Sequence, residues 1–450
     1  MSGDEKNKSA RHTADKKFFI LMAIVLVCFS FSPPQAGAAT NWLEKAKLLA
    51  SDGAASDWFG YSVSISGDYA IVGTEQISRS VTGKAYIFKW DGTNWVQQQK
   101  LLASDGAAGD QFGYSVSISG DYAIVGARGS DGNVIGSGAA YIFKRDGTTW
   151  SEQAKLTALD GADSDEFGYS VSISGDFAIV GAYGDDDNGD YSGSAYIFKR
   201  DGTNWVQQVK LTASDGAAED CFGYSVSIST DYAIVGAMDD DDKGDYSGSA
   251  YIFRWDGTSW SQQTKLLASD GAADDWFGSS VSISGDYAIV GADGDDDKGI
   301  LSGSACIFKR DGTNWIEQQK LTASDGAAGD NFGYSVSISG DLAIAGAVQY
   351  GYGSSCIGKA YIFRWDGTSW SQQTKLLASD GAAGDVFGCS VAISGDFAIV
   401  GAFGDDDKGS DSGSAYIFNK FCPKADLNGD CKVDFTDLAI FADSWLYGTD

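Results

Sequence analysis

Histidine is almost absent: the only one in 450 residues is His12. Proline is nearly as scarce, 3 residues against 59 glycines, which excludes Pro-rich linkers and collagen-like repeats. Basic residues number 32 against 62 acidic ones, a formal charge of −30. Nucleic acid and anionic membrane surfaces demand basic patches, so neither is an expected partner. The seven cysteines show no zinc-ligand spacing. Past the leader, no stretch reaches the ~18 apolar residues of a membrane span. What is plentiful is core material: 43% hydrophobic and 13% aromatic residues exclude global disorder.

The first 39 residues read as an address. Lys16 and Lys17 precede an apolar run from Phe18 to Phe31, followed by Pro33, Pro34 and Ala36-Gly37-Ala38. A basic region, a short apolar core and a small-x-small site predict a signal peptide over 1–39. An uncleaved anchor is the alternative, and Cys28, preceded by Val27, sits in only a weak lipidation context. The expected location is secreted, periplasmic or cell surface, with no membrane insertion after cleavage. Removing the leader leaves 27 bases, 59 acids and no imidazole. That excludes Ser-His-Asp and Cys-His nucleophiles and His-ligated zinc. Carboxylate, Lys and Tyr chemistry remain.

A Phe-Gly pair recurs at Phe59, Phe112, Phe167, Phe222, Phe277, Phe332 and Phe387, spaced by 53 and then five times by 55. A fixed period of this size signals a solenoid or propeller. Each unit holds four strand signals. In the first unit, Tyr61, Val63 and Ile65 alternate with Ser62, Ser64 and Ser66. A tight Ser66-Gly67-Asp68 turn leads to a second strand from Tyr69. A third runs from Ala85 to Lys89, and Asp91-Gly92 turns into a fourth from about Trp95 to Ala103. Four antiparallel strands without helical period make a propeller blade. An orphan fourth strand, Trp42 to Ala50, precedes the first unit, and the seventh stops after its third strand, Ala415 to Phe418. Pairing them predicts an all-β, seven-bladed propeller over 41–420, closed by the N-terminal strand and free of raw sheet edges.

The Phe-Gly opening and Val-Gly-Ala close, as in Phe167-Gly168 through Val180-Gly181-Ala182, resemble the FG-GAP repeat of integrin-α-type propellers. The resemblance implies an adhesion or surface role. The family's usual Ca2+ loop lies between the first two strands; here that loop is only Ser-Gly-Asp, as at Ser174-Gly175-Asp176, so that site does not carry over.

Acid gathers elsewhere. Loops between second and third strands carry Asp185-Asp186-Asp187, Asp239 to Asp242, Asp295-Asp296-Asp297 and Asp405-Asp406-Asp407. Each blade's entering loop carries a further pair, from Asp52/Asp57 to Asp380/Asp385. In an up-and-down blade both loop types emerge on one face. Oxygen-rich loops suit Ca2+, with Asp185, Asp187, Asp239, Asp241, Asp295, Asp297, Asp405 and Asp407 as candidate ligands. Solvated Asp/Gly turns are the alternative.

From 423 to 450 the composition changes. Asp426, Asn428, Asp430, Asp434 and Asp437 place oxygens at loop positions 1, 3, 5, 9 and 12, and Lys432 offers a backbone carbonyl at position 7. This is an EF-hand ligand schedule for Ca2+, although Cys431 replaces the usual Gly. Leu438, Ile440, Phe441, Trp445 and Leu446 follow with helical spacing. The segment is similar to one half of a type I dockerin, which implies a cohesin-like partner. True dockerins carry two such loops. Cys422 and Cys431 can form a disulfide in an exported protein; Cys221, Cys306, Cys356 and Cys389 read as buried small residues.

The leading function is a non-catalytic binding or adhesion protein for an extracellular protein or glycan. The alternatives are a carbohydrate-active enzyme or accessory protein of polysaccharide degradation, and a purely structural surface protein. The divergent residues Glu75, Arg79, Arg128, Asp131, Tyr350 and Tyr352 mark either a site or loop drift.

Overall fold

A computed structural model describes residues 42–75, 82–132, 134–349, 357–421 and 440. The leader with His12, Arg79, Tyr350, Tyr352, Cys356, Cys422, Cys431 and the tail ligands Asp426, Asn428, Asp430, Lys432, Asp434 and Asp437 lie outside the described residues. Among the described residues, no helix is long and apolar enough to cross a membrane.

Seven four-stranded antiparallel sheets form seven blades. The first holds Phe59–Ser66, Tyr69–Thr74, Ala85–Trp90 and Trp95–Leu101, in that spatial order. The fourth strand ends at Leu101 rather than Ala103. The seventh blade takes Val391–Ser394, Phe397–Ala402 and Ser414–Lys420 from the end of the repeats and Trp42–Leu48 from the start. Trp42 pairs with Lys420 and Leu48 with Ala415. The closing strand even repeats the register shift of the ordinary fourth strands, between Glu44 and Ala46, as blade 3 does beside Ile197 and Phe198. First strands touch in succession around the axis, and Val391–Ser394 touches Phe59–Ser66.

The alternation in the first strand has a specific cause. First strands are the inner sheet edges, whose outward N–H groups have no ladder partner. The serines supply one: Val116 and Ile118 donate their N–H groups to Ser62 Oγ and Ser64 Oγ at 3.0 and 3.2 Å. The same bonds join Val391 and Ile393 to Ser335 and Ser337. Bulky residues of the alternation, such as Val63 and Ile65, fill the core between blades with Tyr86, Phe88 and the closing strand's Leu48.

The Phe-Gly motif staples blade to blade. The Phe59 N–H donates to Ser412 O of blade 7 at 3.1 Å, and its buried ring meets Tyr86 and Phe88 edge-on. Gly60 has φ +95°, and a Cβ there would lie 2.1 Å from Ser414 O. Only glycine tolerates both conditions.

Candidate ligand site at the axial mouth

The acidic rim carries its own counter-cations, one lysine to three carboxylates in each of four blades. The entering-loop and second-to-third-strand loops meet on one face, as the up-and-down order requires. Lys210, from the fourth strand of blade 3, reaches Asp160 at 3.0 Å, Asp185 at 2.7 Å and Asp187 at 2.6 Å. Lys320 stands likewise among Asp270, Asp295 and Asp297, and Lys47 of the closing strand among Asp380, Asp405 and Asp407. In blade 4, Lys265 meets Asp215, Asp240 and Asp242. The candidates Asp239 and Asp241 lie elsewhere: Asp239 sits beside the Cys221 thiol, and Asp241 accepts the Tyr246 N–H at 2.8 Å. Burial alone would lower the Lys210 ammonium, but hydrogen bonds to Asp185, Asp187 and Asp160 hold it well above the usual lysine range. Burial would raise Asp160, and the Lys210 hydrogen bond outweighs it and lowers that carboxyl. An ammonium thus stands where the carboxylates converge in these four loops. The signal was present in the sequence as a Lys at the penultimate position of each fourth strand.

Other loop acids have structural duties. Asp57 Oδ2 accepts the Ala54 N–H at 3.0 Å, and Asp52 accepts the Tyr86 hydroxyl at 2.8 Å and Lys100 at 3.1 Å. Similar turns and pairs recur around the ring.

Variation among the repeats collects where this face meets the axis. Three sets of equivalent residues line that mouth. The first is the residue after Phe-Gly: Tyr61, Tyr114, Tyr169, Tyr224 and Tyr334, with Ser279 in blade 5 and Cys389 in blade 7. The second follows the end of the second strand: Glu75, Arg128, Tyr183, Met238, Asp293, Val348 and Phe403, seven different residues at one repeat position. The third precedes Phe: Trp58, Gln111, Glu166, Cys221, Trp276, Asn331 and Val386, again mostly unalike. All seven of this third set have positive φ, between 48° and 56°. The chain turns there into the axis, a conformation that a β-branched residue such as Val386 adopts only under strain.

One side of the mouth is an ion cluster. Arg128 lies 4.1 Å from the Tyr114 ring centre and 5.4 Å from that of Tyr169. Its guanidinium donates to Glu166 at 3.0 Å, Gln111 at 3.1 Å and Glu75 at 3.5 Å. Burial raises the Glu75 carboxyl, with Arg128 opposing. Neighbouring tyrosines touch in sequence, and the Tyr61 hydroxyl donates to that of Tyr114 at 3.2 Å. Burial holds the phenols of Tyr61 and Tyr169 well above their usual range, so they remain hydroxyls.

The mouth holds one cavity of about 310 Å³, bordered on the ion-cluster side by Tyr61, Tyr114 and Tyr169 and on the other by Trp276, Ser279, Asp293 and Cys389. Ser279 Oγ donates to Asp293 Oδ1 at 2.6 Å. Burial pushes the Asp293 carboxyl up to about 6 despite that bond. Asn331 Nδ2 donates to the Asp293 carbonyl at 3.2 Å, and its buried Oδ1 has no partner among the described residues. Cys221, Cys306 and Cys389 are buried free thiols, as the sequence suggests. Sequence reasoning singled out Glu75 and Arg128 as divergent but not their meeting, and it missed Asp293, Ser279 and the tyrosine ring.

A family model described as FG-GAP repeat matches residues 42–88, 95–143, 150–198, 205–253, 260–308, 315–363 and 370–418. No curated protein matches the chain.

Proposed function

The chain belongs to the FG-GAP repeat family, and from that membership and the make-up of the mouth we propose a secreted or cell-surface binding protein of the adhesion type. The observation that carries the reading is the concentration of unlike residues on the axial mouth of an otherwise repetitive ring. The position after the second strand carries seven different residues in seven repeats, and the position before Phe six kinds, where a ligand would touch. A rigid scaffold presenting a variable surface is the usual arrangement of a binding module. Fold alone does not give this, since one scaffold serves many activities. The ligand is an extracellular protein or glycan. The experiment is a screen of the full-length protein against arrays of glycans and extracellular proteins. Saturable micromolar binding without turnover is expected. Cleavage of a bound glycan, or no binding to either array, overturns the reading.

The same proposal gives the tail a Ca2+ ion held by Asp426, Asn428, Asp430, Lys432, Asp434 and Asp437, and a cohesin-like partner. The ligand schedule of the sequence supports it. Terbium luminescence of the full-length protein should saturate, and Asp430→Ala should abolish the signal; an unchanged signal in the variant removes the tail site.

A further inference from the structure

We propose that the cavity of the axial mouth binds one neutral pyranose unit of a glycan, with Asp293 accepting its hydroxyls and the neighbouring aromatic rings taking its C–H face. This deepens the binding reading above and rests on it.

The cavity is a product of two exceptions. Five blades fill the axis with tyrosine, whereas blades 5 and 7 place Ser279 and Cys389 there. Losing two phenol rings leaves about 310 Å³, at the lower end of small-ligand sites, about 300–1,000 Å³. Into this space faces a buried carboxyl. Asp293 has Ser279 as its side-chain donor, and no cation is paired with it among the described residues. Burying a carboxyl without a full set of donors is unfavourable, so the site is incomplete until a ligand brings donors. Asn331, whose amide N–H donates to the Asp293 carbonyl, has in its Oδ1 a second buried acceptor with no donor among the described residues.

The class of ligand follows from what surrounds these acceptors. A cation would suit a ring of tyrosines, but the chain already stacks its own Arg128 on Tyr114 and Tyr169 and balances it with Glu75 and Glu166. An anion would meet Asp293 inside and a formal charge of −30 outside. What remains is a set of aromatic faces and one carboxyl with a single side-chain donor among the described residues. A pyranose matches it, because its axial C–H face is apolar and its equatorial edge donates hydrogen bonds. Hydroxyl bonds to a carboxylate are the stronger, charge-assisted kind.

The test uses the full-length protein and isothermal titration with methyl glycosides of glucose, galactose, mannose and N-acetylglucosamine. Methyl glucuronide and methylguanidinium serve as charged counterparts. At least one neutral glycoside should bind saturably and both charged probes should not. The double variant Ser279→Tyr/Cys389→Tyr, which restores the side chain of the other five blades, should weaken binding at least tenfold. Asp293→Asn should do the same while the protein stays folded by circular dichroism. Glycoside binding unchanged in the double variant places the site elsewhere and overturns the proposal, while the binding reading stands. Binding of methylguanidinium or methyl glucuronide alone overturns the assignment of class. If no probe binds but the protein array gives a ligand, the saccharide assignment falls and the binding reading survives; if both fail, both fall.

Discussion

Asp293 sits inside the mouth with its folded-state pKa near 6, against about 3.9 for a free aspartate. The sign of its stability effect follows. Above pH 6 the folded protein must keep a buried carboxylate that the unfolded chain exposes to water, so the group destabilises. As pH falls through 6 toward 4 the folded state takes up the proton first and the penalty disappears. Asp293→Asn should therefore raise urea stability by about 1–3 kcal/mol at pH 7.5 and leave it unchanged near pH 4. An equal effect at both pH values would mean that the carboxyl is not buried as described. Asp220 and Asp275, pushed up to about 6 by burial, add to the same trend, so stability should climb as pH falls from 7.5 toward 5. At this scale the sequence said least. Asp293 occupies one position in a set of seven unlike residues, and nothing in one-dimensional order says that they converge on an axis.

At the scale of the element, the loops and the fourth strand form one unit. Lys210 closes contacts with Asp160, fifty positions earlier in the chain, and with Asp185. Pairing that holds Asp160 low contributes stability above the ordinary carboxylate range and loses it as pH falls below that range. The raised Lys210 keeps its contribution until pH rises past the lysine range. Lys210→Met leaves three carboxylates facing one another, one of them buried. A loss of about 2–4 kcal/mol at pH 7 is expected, smaller than for a fully buried pair because Asp160 and Asp187 are half exposed. The loss should shrink in acid, as pH falls past the lowered Asp160 carboxyl; urea denaturation at neutral and strongly acid pH checks it. The strands themselves were legible from alternation and turn residues, because local pattern and final structure agree. The lysines were not, since a strand's pattern gives the face of a side chain but not which distant loop comes to meet it. The same limit explains blade 4. An extra acid at the position of Gly184 lengthens the Asp run there, so counting from its start picks Asp239 and Asp241 where the fold brings Asp240 and Asp242 to Lys265.

At the scale of the molecule, the ring depends on joining its two ends. The blades bury their faces only against one another, so an open array would expose apolar surface and two sheet edges. The closing strand carries the contacts of its counterparts elsewhere: Lys47 enters the acidic cluster of blade 7, and Glu44 accepts the Ser379 N–H and hydroxyl at 2.9 Å, as Glu152 does for Ser104. Closure was readable from the sequence because a spare fourth strand at the start matches a missing one at the end. The mouth, and any ligand in it, exists only in the closed ring, since Tyr61 and Phe403 come from the first and last blades. Closure is tested most directly by hydrogen exchange of the full-length protein, with the six ordinary fourth strands as internal standards. The account predicts that amides of Trp42–Leu48 bonded to Ser414–Lys420 exchange as slowly as their equivalents in Trp95–Leu101 and Asn204–Leu211. Exchange of the 42–48 segment within seconds, while the other fourth strands stay protected, would contradict it.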